Sequence, residues 1–348
     1  MNFLFKYSFI LLAISTFLGS CKSGKQTGSE LPIPAVETAS RVVTFNNKVL
    51  PGKGVYSGVA IWTVENNINL LSNYESLVGV KQNLVMWFHH WADADSSFNL
   101  EACNNISARA AIPYLSWCPA SDNSNINQPA YKLTNITTGN FDGYITRFAK
   151  DCKNYGKPLF LRFAFEMNGE NFLPWSGNTN GNNAGSDYVA AWQHVYRIFA
   201  DQAVANVAWV WCPYVESLYP WAPLENYYPG DAYVDWVAMD GYGYPTQSWA
   251  FDTSNTFDKT FSNTYAKLAT FNKPMMIGEL GCAEDVSNSA FKPGWITDAY
   301  SEMKTNYPLI KAITWFNYDK EYDWRVNSSD ASLHAFKAVA NFPYFSTQ

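Results

Sequence analysis

Histidine is scarce in this chain, four residues in 348, and no two cysteines stand in a CxxC spacing. A zinc centre needs clustered His, Cys or carboxylate ligands at short regular intervals, so no metal site is expected. No Cys–His pairing marks a thiol nucleophile, and no Asp/His cluster has the ligand spacing of a metal-dependent deacetylase. Basic residues are also in deficit: 24 Lys and Arg face 30 Asp and Glu, for a net charge of −6 and a pI near 5.3. Nucleic-acid binding rests on a clustered Lys/Arg surface, so no nucleic-acid partner is expected. Repeats at a solenoid period are missing, and no long central stretch is polar enough to stay unfolded.

What the chain has in excess is aromatic surface. Trp, Tyr and Phe make up 17% of the residues, 14 of them Trp, within a hydrophobic content of 47%. Much of this serves a core, and much of it suits stacking on the apolar C–H faces of sugar rings. Trp62, Trp91 and Trp117 read equally well either way. The amino terminus has its own pattern: a short basic start to Lys6, an apolar run from Tyr7 to Phe17, then Leu18-Gly-Ser-Cys21. Eleven residues are too few to span a bilayer, and the arrangement resembles a bacterial lipoprotein signal cleaved before Cys21. On that resemblance residues 1 to 20 are a signal peptide, Cys21 carries lipid, and residues 21 to 40, rich in Ser, Gly, Lys and Thr, form a flexible tether. The expected location is the bacterial cell envelope, anchored by lipid to the outer membrane and facing the periplasm or the surface. Of the remaining cysteines, Cys118 and Cys212 follow apolar runs at strand ends. Cys103 and Cys152 are compatible with a disulfide in an oxidising compartment.

Beyond the tether, eight short apolar runs alternate with helical patterns: 55–59, 83–88, 111–117, 159–166, 207–211, 234–240, 275–279 and 312–317. Between them, Ser186 to Asp201 carries Tyr188, Ala191, Trp192, Val195, Ile198 and Phe199 at helical spacing. Eight buried strands with intervening helices predict an α/β protein, a single-domain (β/α)8 TIM barrel over residues 41 to 348. Two of the strands follow Lys-Pro turns and end in acids: Glu166 in Leu161-Arg-Phe-Ala-Phe-Glu-Met-Asn-Gly169, and Glu279 in Ile277-Gly-Glu-Leu-Gly281. Active sites of such barrels lie at the carboxyl ends of the strands, and a carboxylate pair is the minimal equipment for glycoside hydrolysis. Strand alternation places Arg162 on the same face as Glu166, where a buried guanidinium would keep one carboxylate ionised.

These stretches, with Pro174-Trp175, Asn206-Val-Ala-Trp-Val-Trp-Cys-Pro213, Tyr227-Tyr-Pro-Gly-Asp231 and Thr314-Trp-Phe-Asn317, together resemble glycoside hydrolase family 26 over residues 50 to 340. The resemblance implies a retaining enzyme with Glu166 as acid/base and Glu279 as nucleophile. It implies that Tyr242 or Tyr244 hydrogen-bonds the nucleophile, that Trp315 is the platform under the reacting sugar, and that Trp175, Asn168, Arg162 and His90 contribute to substrate binding. His90 reads equally as a structural imidazole. The residue before the acid/base, usually His in the family, is Phe165 here, so either another group takes its place or the substrate differs. The Arg-Phe-Ala-x-Glu-Met-Asn-Gly pattern and Asp323-Trp-Arg-Val-Asn-Ser328 are similar to the mixed-linkage β-1,3-1,4-glucanase branch, with endo-β-1,4-mannanase and β-1,3-xylanase as alternatives. The expected partner is a β-linked polysaccharide, with no cofactor, membrane contact through the lipid alone, and a monomeric chain. A binding lipoprotein that keeps the barrel without turnover is the competing class.

Overall fold

The computed structural model describes residues 49–92, 97–122, 125–169, 173–177, 179–183, 185–215, 223–245 and 256–345; Cys21 and the tether lie outside them. Eight strands close into one parallel barrel in chain order: β1 (Tyr56–Ala60), β2 (Leu84–His90), β3 (Ile112–Cys118), β4 (Leu159–Phe163), β5 (Val207–Trp211), β6 (Trp236–Gly243), β7 (Met275–Cys282) and β8 (Ile310–Phe316). β8 pairs back onto β1, so the sheet has no free edge. Each predicted apolar run is a strand, because parallel strands covered on both faces need near-continuous hydrophobic sequence.

Helices form the outer layer: α1 (Asn69–Val78), α2 (Leu100–Ser107), α3 (Leu133–Thr137), α4 (Asp142–Tyr155), α5 (Ser186–Asp201), α6 (Phe257–Ala269), α7 (Phe291–Asn306) and α8 (Asp330–Ala340). α5 has the predicted bounds, and its apolar stripe Tyr188, Ala191, Trp192, Val195 and Phe199 is buried. Outward-facing rings of the strands fill the space beneath the helices. Trp117 stacks on Phe148 of α4 with centroids 4.4 Å apart, and Trp209 meets Phe199 of α5 at 5.0 Å. Cys103 and Cys152 are buried free thiols, as are Cys118, Cys212 and Cys282; the pair compatible with a disulfide is not bridged.

Two local irregularities aim the acids. β4 ends at Phe163, not at Glu166 as predicted, and both Ala164 (φ 45°) and Glu166 (φ 51°) adopt left-handed backbone. The alternation that sets Arg162 inward therefore does not carry through to Glu166. Its amide instead donates to the Cys212 carbonyl beyond β5 at 2.7 Å. On β7 the register against β6 slips: Ile277 pairs with Met239, and Glu279, not Gly278, pairs with Asp240. Gly278 is thus the extra residue of a bulge, which lets Gly278 and Glu279 both address the barrel interior.

A Cβ at position 278 would lie 2.5 Å from Asp240 Oδ1 and 2.9 Å from Cys212 Sγ, side chains that are fully buried. Gly278→Ala is therefore expected to lower stability by about 1–3 kcal/mol through overpacking, read as a lower denaturant midpoint with an unchanged slope. Wild-type stability in the variant would remove the steric reason for glycine at the bulge.

Candidate active site

At the carboxyl ends of β4, β6 and β7, Glu166, Asp240 and Glu279 bring carboxylate oxygens within 4.8 Å of one another. All three are buried, Asp240 completely. Concentrated negative charge out of water needs a counter-charge, and Arg162 supplies it from β4. Its Nη1 donates to Asp240 Oδ2 at 2.5 Å, its Nη2 donates to Glu279 Oε1, and its Nε donates to Ser116 Oγ at 3.0 Å. Three rings surround the guanidinium: Phe165 at 4.1 Å, Tyr114 at 5.6 Å and Phe88 at 5.9 Å from their centroids. The second oxygen of Glu279, Oε2, accepts from the Tyr242 hydroxyl. Three clustered carboxylates are the hard oxygen ligands that divalent cations take, but here the guanidinium already occupies the cationic position between two of them.

Glu166 differs from its neighbours in its partner: Arg162 donates to Asp240 and Glu279, whereas Glu166 is hydrogen-bonded to Asp240. Burial pushes its carboxyl well above the usual carboxylate range, and the charges of Asp240 and Glu279 push the same way against Arg162. Asp240, to which Glu166 is hydrogen-bonded, is itself raised by burial to about 7 despite the opposing Arg162 charge. One proton is therefore shared between Glu166 and Asp240, with Glu166 favoured because Arg162 bonds Asp240 directly. Glu279 accepts from a guanidinium on one oxygen and from a phenol on the other. A carboxyl that burial favours in its protonated form, beside a second carboxyl held by two donors, is the pairing of unlike environments that glycoside cleavage requires.

The sequence-derived residues separate into those at the acids and those behind them. Glu166, Glu279, Arg162 and Tyr242 converge, and Tyr242, not Tyr244, is the phenol bonded to Glu279. Tyr244 sits two residues on, edge-on to Trp324 at 5.5 Å. His90 is the last residue of β2 on the face shared with Phe88, while His89 faces outward onto Phe148 at 5.5 Å.

Three expectations are corrected. Trp315 faces away from the mouth: its ring packs on Phe336 of α8 at 5.3 Å and its Nε1 donates to the Trp324 carbonyl at 2.9 Å. The next residue, Phe316, is the one turned inward, against Phe88, Tyr242 and Tyr318. Trp175 has no exposed surface and donates from Nε1 to the Phe165 carbonyl at 2.6 Å, bracing that residue from beneath. Asn168 spends its amide on backbone, donating to Tyr214 O at 2.9 Å and accepting from Tyr214 N at 2.8 Å. It staples the loop after β4 to the one after β5.

Sequence reasoning also missed a member. Cys212 Sγ lies 3.1 Å from Asp240 Oδ1, to which it donates, and 3.8 Å from Arg162 Nη1. Its place at the end of an apolar run before Pro213 was the available signal.

A family model described as glycosyl hydrolase family 26 matches residues 123–344. The chain belongs to this family. Among curated relatives it is 35% identical over 269 residues to Endoglucanase H of Acetivibrio thermocellus, covering 77% of this chain and 28% of that protein. It is 26% identical over 217 residues to the β-1,3-xylanase TXYA of a Vibrio species, covering 56% and 43%. The chain spans 28 to 45% of the length of the curated relatives it matches. A family 26 β-mannanase structure from Bacteroides ovatus superposes with a TM-score of 0.63 at 16% identity, covering 84% of this chain and 90% of the other; at that identity the likeness concerns the fold.

Because the Asp240 charge raises Glu166, Asp240→Asn is expected to lower the pKa of Glu166. The sign follows from removing a negative neighbour while leaving the Arg162 cation in place. Titration of the Glu166 carboxyl by 13C NMR reads it directly, and an unchanged or higher midpoint would refute the coupling.

Proposed function

We propose that this chain is a retaining endo-β-glycanase that cuts internal linkages of mixed-linkage β-1,3-1,4-glucan. The observation that carries the reaction type is the spacing of the acids. Retaining enzymes hold their two carboxyl groups about 5 to 5.5 Å apart, inverting ones about 6.5 to 9.5 Å. Oxygens of Glu166 and Glu279 within 4.8 Å leave no room for a water between Glu279 and the anomeric carbon. In this reading Glu279 attacks the anomeric carbon as the bond to the leaving oxygen breaks, and Glu166 gives its proton to that oxygen. Water then attacks the glycosyl-enzyme, Glu166 takes its proton, and Glu279 departs as carboxylate. Arg162 and Tyr242 hold Glu279 aimed through one hydrogen bond to each of its oxygens.

Support for glucan comes from the relatives: identity is 35% to a protein named as an endoglucanase, against 25 to 28% to β-1,3-xylanases and mannan endo-1,4-β-mannosidases. Phe165 stands over Arg162 at the position before the acid/base, Phe88 lies against Phe165, and Phe316 lies against Phe88, so the floor offers apolar faces more than hydrogen bonds. We further propose that Cys21 is acylated and tethers the barrel to the bacterial envelope.

Incubation with barley-type β-glucan, lichenan, galactomannan and linear β-1,3-xylan, followed by product analysis, tests substrate and mechanism together. Oligosaccharides are expected from the first two, with retained anomeric configuration, and Glu279→Gln is expected to lower the rate by roughly four orders of magnitude or more. Release from galactomannan or xylan alone would move the chain to those activities; binding to one polymer with no release would make it a glycan-binding protein. For the anchor, Cys21→Ala is expected to move the protein from the membrane to the soluble fraction, and unchanged fractionation would remove the lipid proposal.

A further inference from the structure

Every other described tryptophan is at most 4% exposed, whereas Trp62 is 67% exposed. It lies two residues past the end of β1, on the face of the barrel where Glu166 and Glu279 end. Isolated exposed rings are ordinary on protein surfaces, so the argument turns on how this one is held and what it continues.

It is held on strained backbone. Thr63, a β-branched residue, adopts φ 59°, a conformation rare for its type and costly to maintain. Its hydroxyl donates to the Trp62 carbonyl at 2.7 Å, and its own carbonyl accepts from the amides of Asn66 at 3.0 Å and Asn67 at 3.2 Å. The Asn317 amide donates to the Ala60 carbonyl at 3.0 Å, joining the base of this turn to the end of β8. A turn so bonded fixes where the indole leaves the backbone.

The ring also continues a track that leads to the acids. Trp62 is edge-on to Tyr318 at 5.5 Å; Tyr318 stacks on Phe316 at 4.2 Å with 6° between planes; Phe316 meets Tyr242 at 5.8 Å. Tyr242 is bonded to Glu279, and the Tyr318 phenol feels the Glu279 charge. A β-linked chain presents an apolar C–H face on successive sugars, and an exposed indole in line with a buried aromatic floor suits one such face.

We propose that Trp62 is the outer stacking platform of this cleft, binding a sugar unit of a β-linked glycan beyond those at the scissile bond. This rests on the reading of the chain as a glycanase. Such a platform adds uniform binding, so its loss raises KM and leaves kcat nearly unchanged. Trp62→Ala is expected to raise KM for β-glucan about tenfold, within the range of one aromatic contact, with kcat within about twofold; Trp62→Phe is expected to recover most of the loss. A fall in kcat at constant KM, or no change in either, would overturn the platform. Affinity electrophoresis separates this from the activity itself. Glu279→Gln protein should be retarded in a gel containing β-glucan, galactomannan or β-1,3-xylan, and adding Trp62→Ala should release it. Retardation without turnover by the parent chain would sink the glycanase reading and keep the platform; retardation unaffected by Trp62→Ala would sink the platform alone; no retardation by any polymer would sink both.

Discussion

A guanidinium with no exposure to water cannot stand alone, and the arrangement of the barrel mouth follows from satisfying Arg162. Its donors reach Asp240, Glu279 and Ser116, and Phe165 covers its face. Removing one partner of a buried pair leaves an uncompensated charge at a cost of about 3–5 kcal/mol, so these groups are mutually obligatory. The consequence for chemistry lies in what the arginine does not touch. One cation engages two carboxylates; the third, Glu166, is left among negative neighbours in a site without bulk water. Its proton is the least expensive way to limit the accumulated charge. The unlike environments of two identical side chains are a by-product of where one guanidinium points.

The aromatic residues at the mouth act on the same balance. Phe88, Phe165, Phe316 and Tyr318 touch one another in a continuous layer, and rings exclude water without offering donors or acceptors of their own on their faces. Lower local dielectric strengthens the bonds from Arg162 to its two carboxylates and raises the cost of ionising Glu166. The layer that suits a sugar face is therefore also part of what keeps the acid protonated. Trp175 belongs to this account although it faces no ligand, since its indole fixes the carbonyl of Phe165 from below.

The eight strands were legible because buried parallel strands demand apolar runs, and those runs recur between helical patterns. Glu166 and Glu279 were legible as charged residues at the ends of such runs, and Arg162 as one inside a run. What alternation cannot supply is its own phase. The family resemblance implies an inward Trp315, yet β8 is phased so that Phe316 enters the mouth and Trp315 enters the helix layer. A one-residue shift of phase exchanges every inward and outward side chain, and no local feature of the segment declares it. Asn168 failed for another reason: its amide is consumed by the backbone of Tyr214, 46 residues away, a partner that only the closed barrel brings near. Cys212 was read as a rim residue without its contact to Asp240, for the same cause.

Glu279 shows how a departure from regular structure serves the site. On an unbroken β7, Gly278 and Glu279 would face opposite sides, and the glycine, not the acid, would look into the barrel. The bulge opposite Asp240 turns both inward, and it is affordable only because residue 278 lacks a Cβ in a space already filled by Asp240 and Cys212. On β4 the same end is reached differently, by leaving the strand at Phe163 and adopting left-handed backbone at Ala164 and Glu166. Both acids thus stand where the ladder is interrupted, on backbone still bonded to neighbouring strands. Irregular backbone of this kind persists when the surrounding packing over-determines it, and here the packing is the Arg162 network itself. The carboxylates are consequently fixed in spacing before any ligand arrives, which is the condition for aligning acid and anion on one anomeric centre without reorganisation.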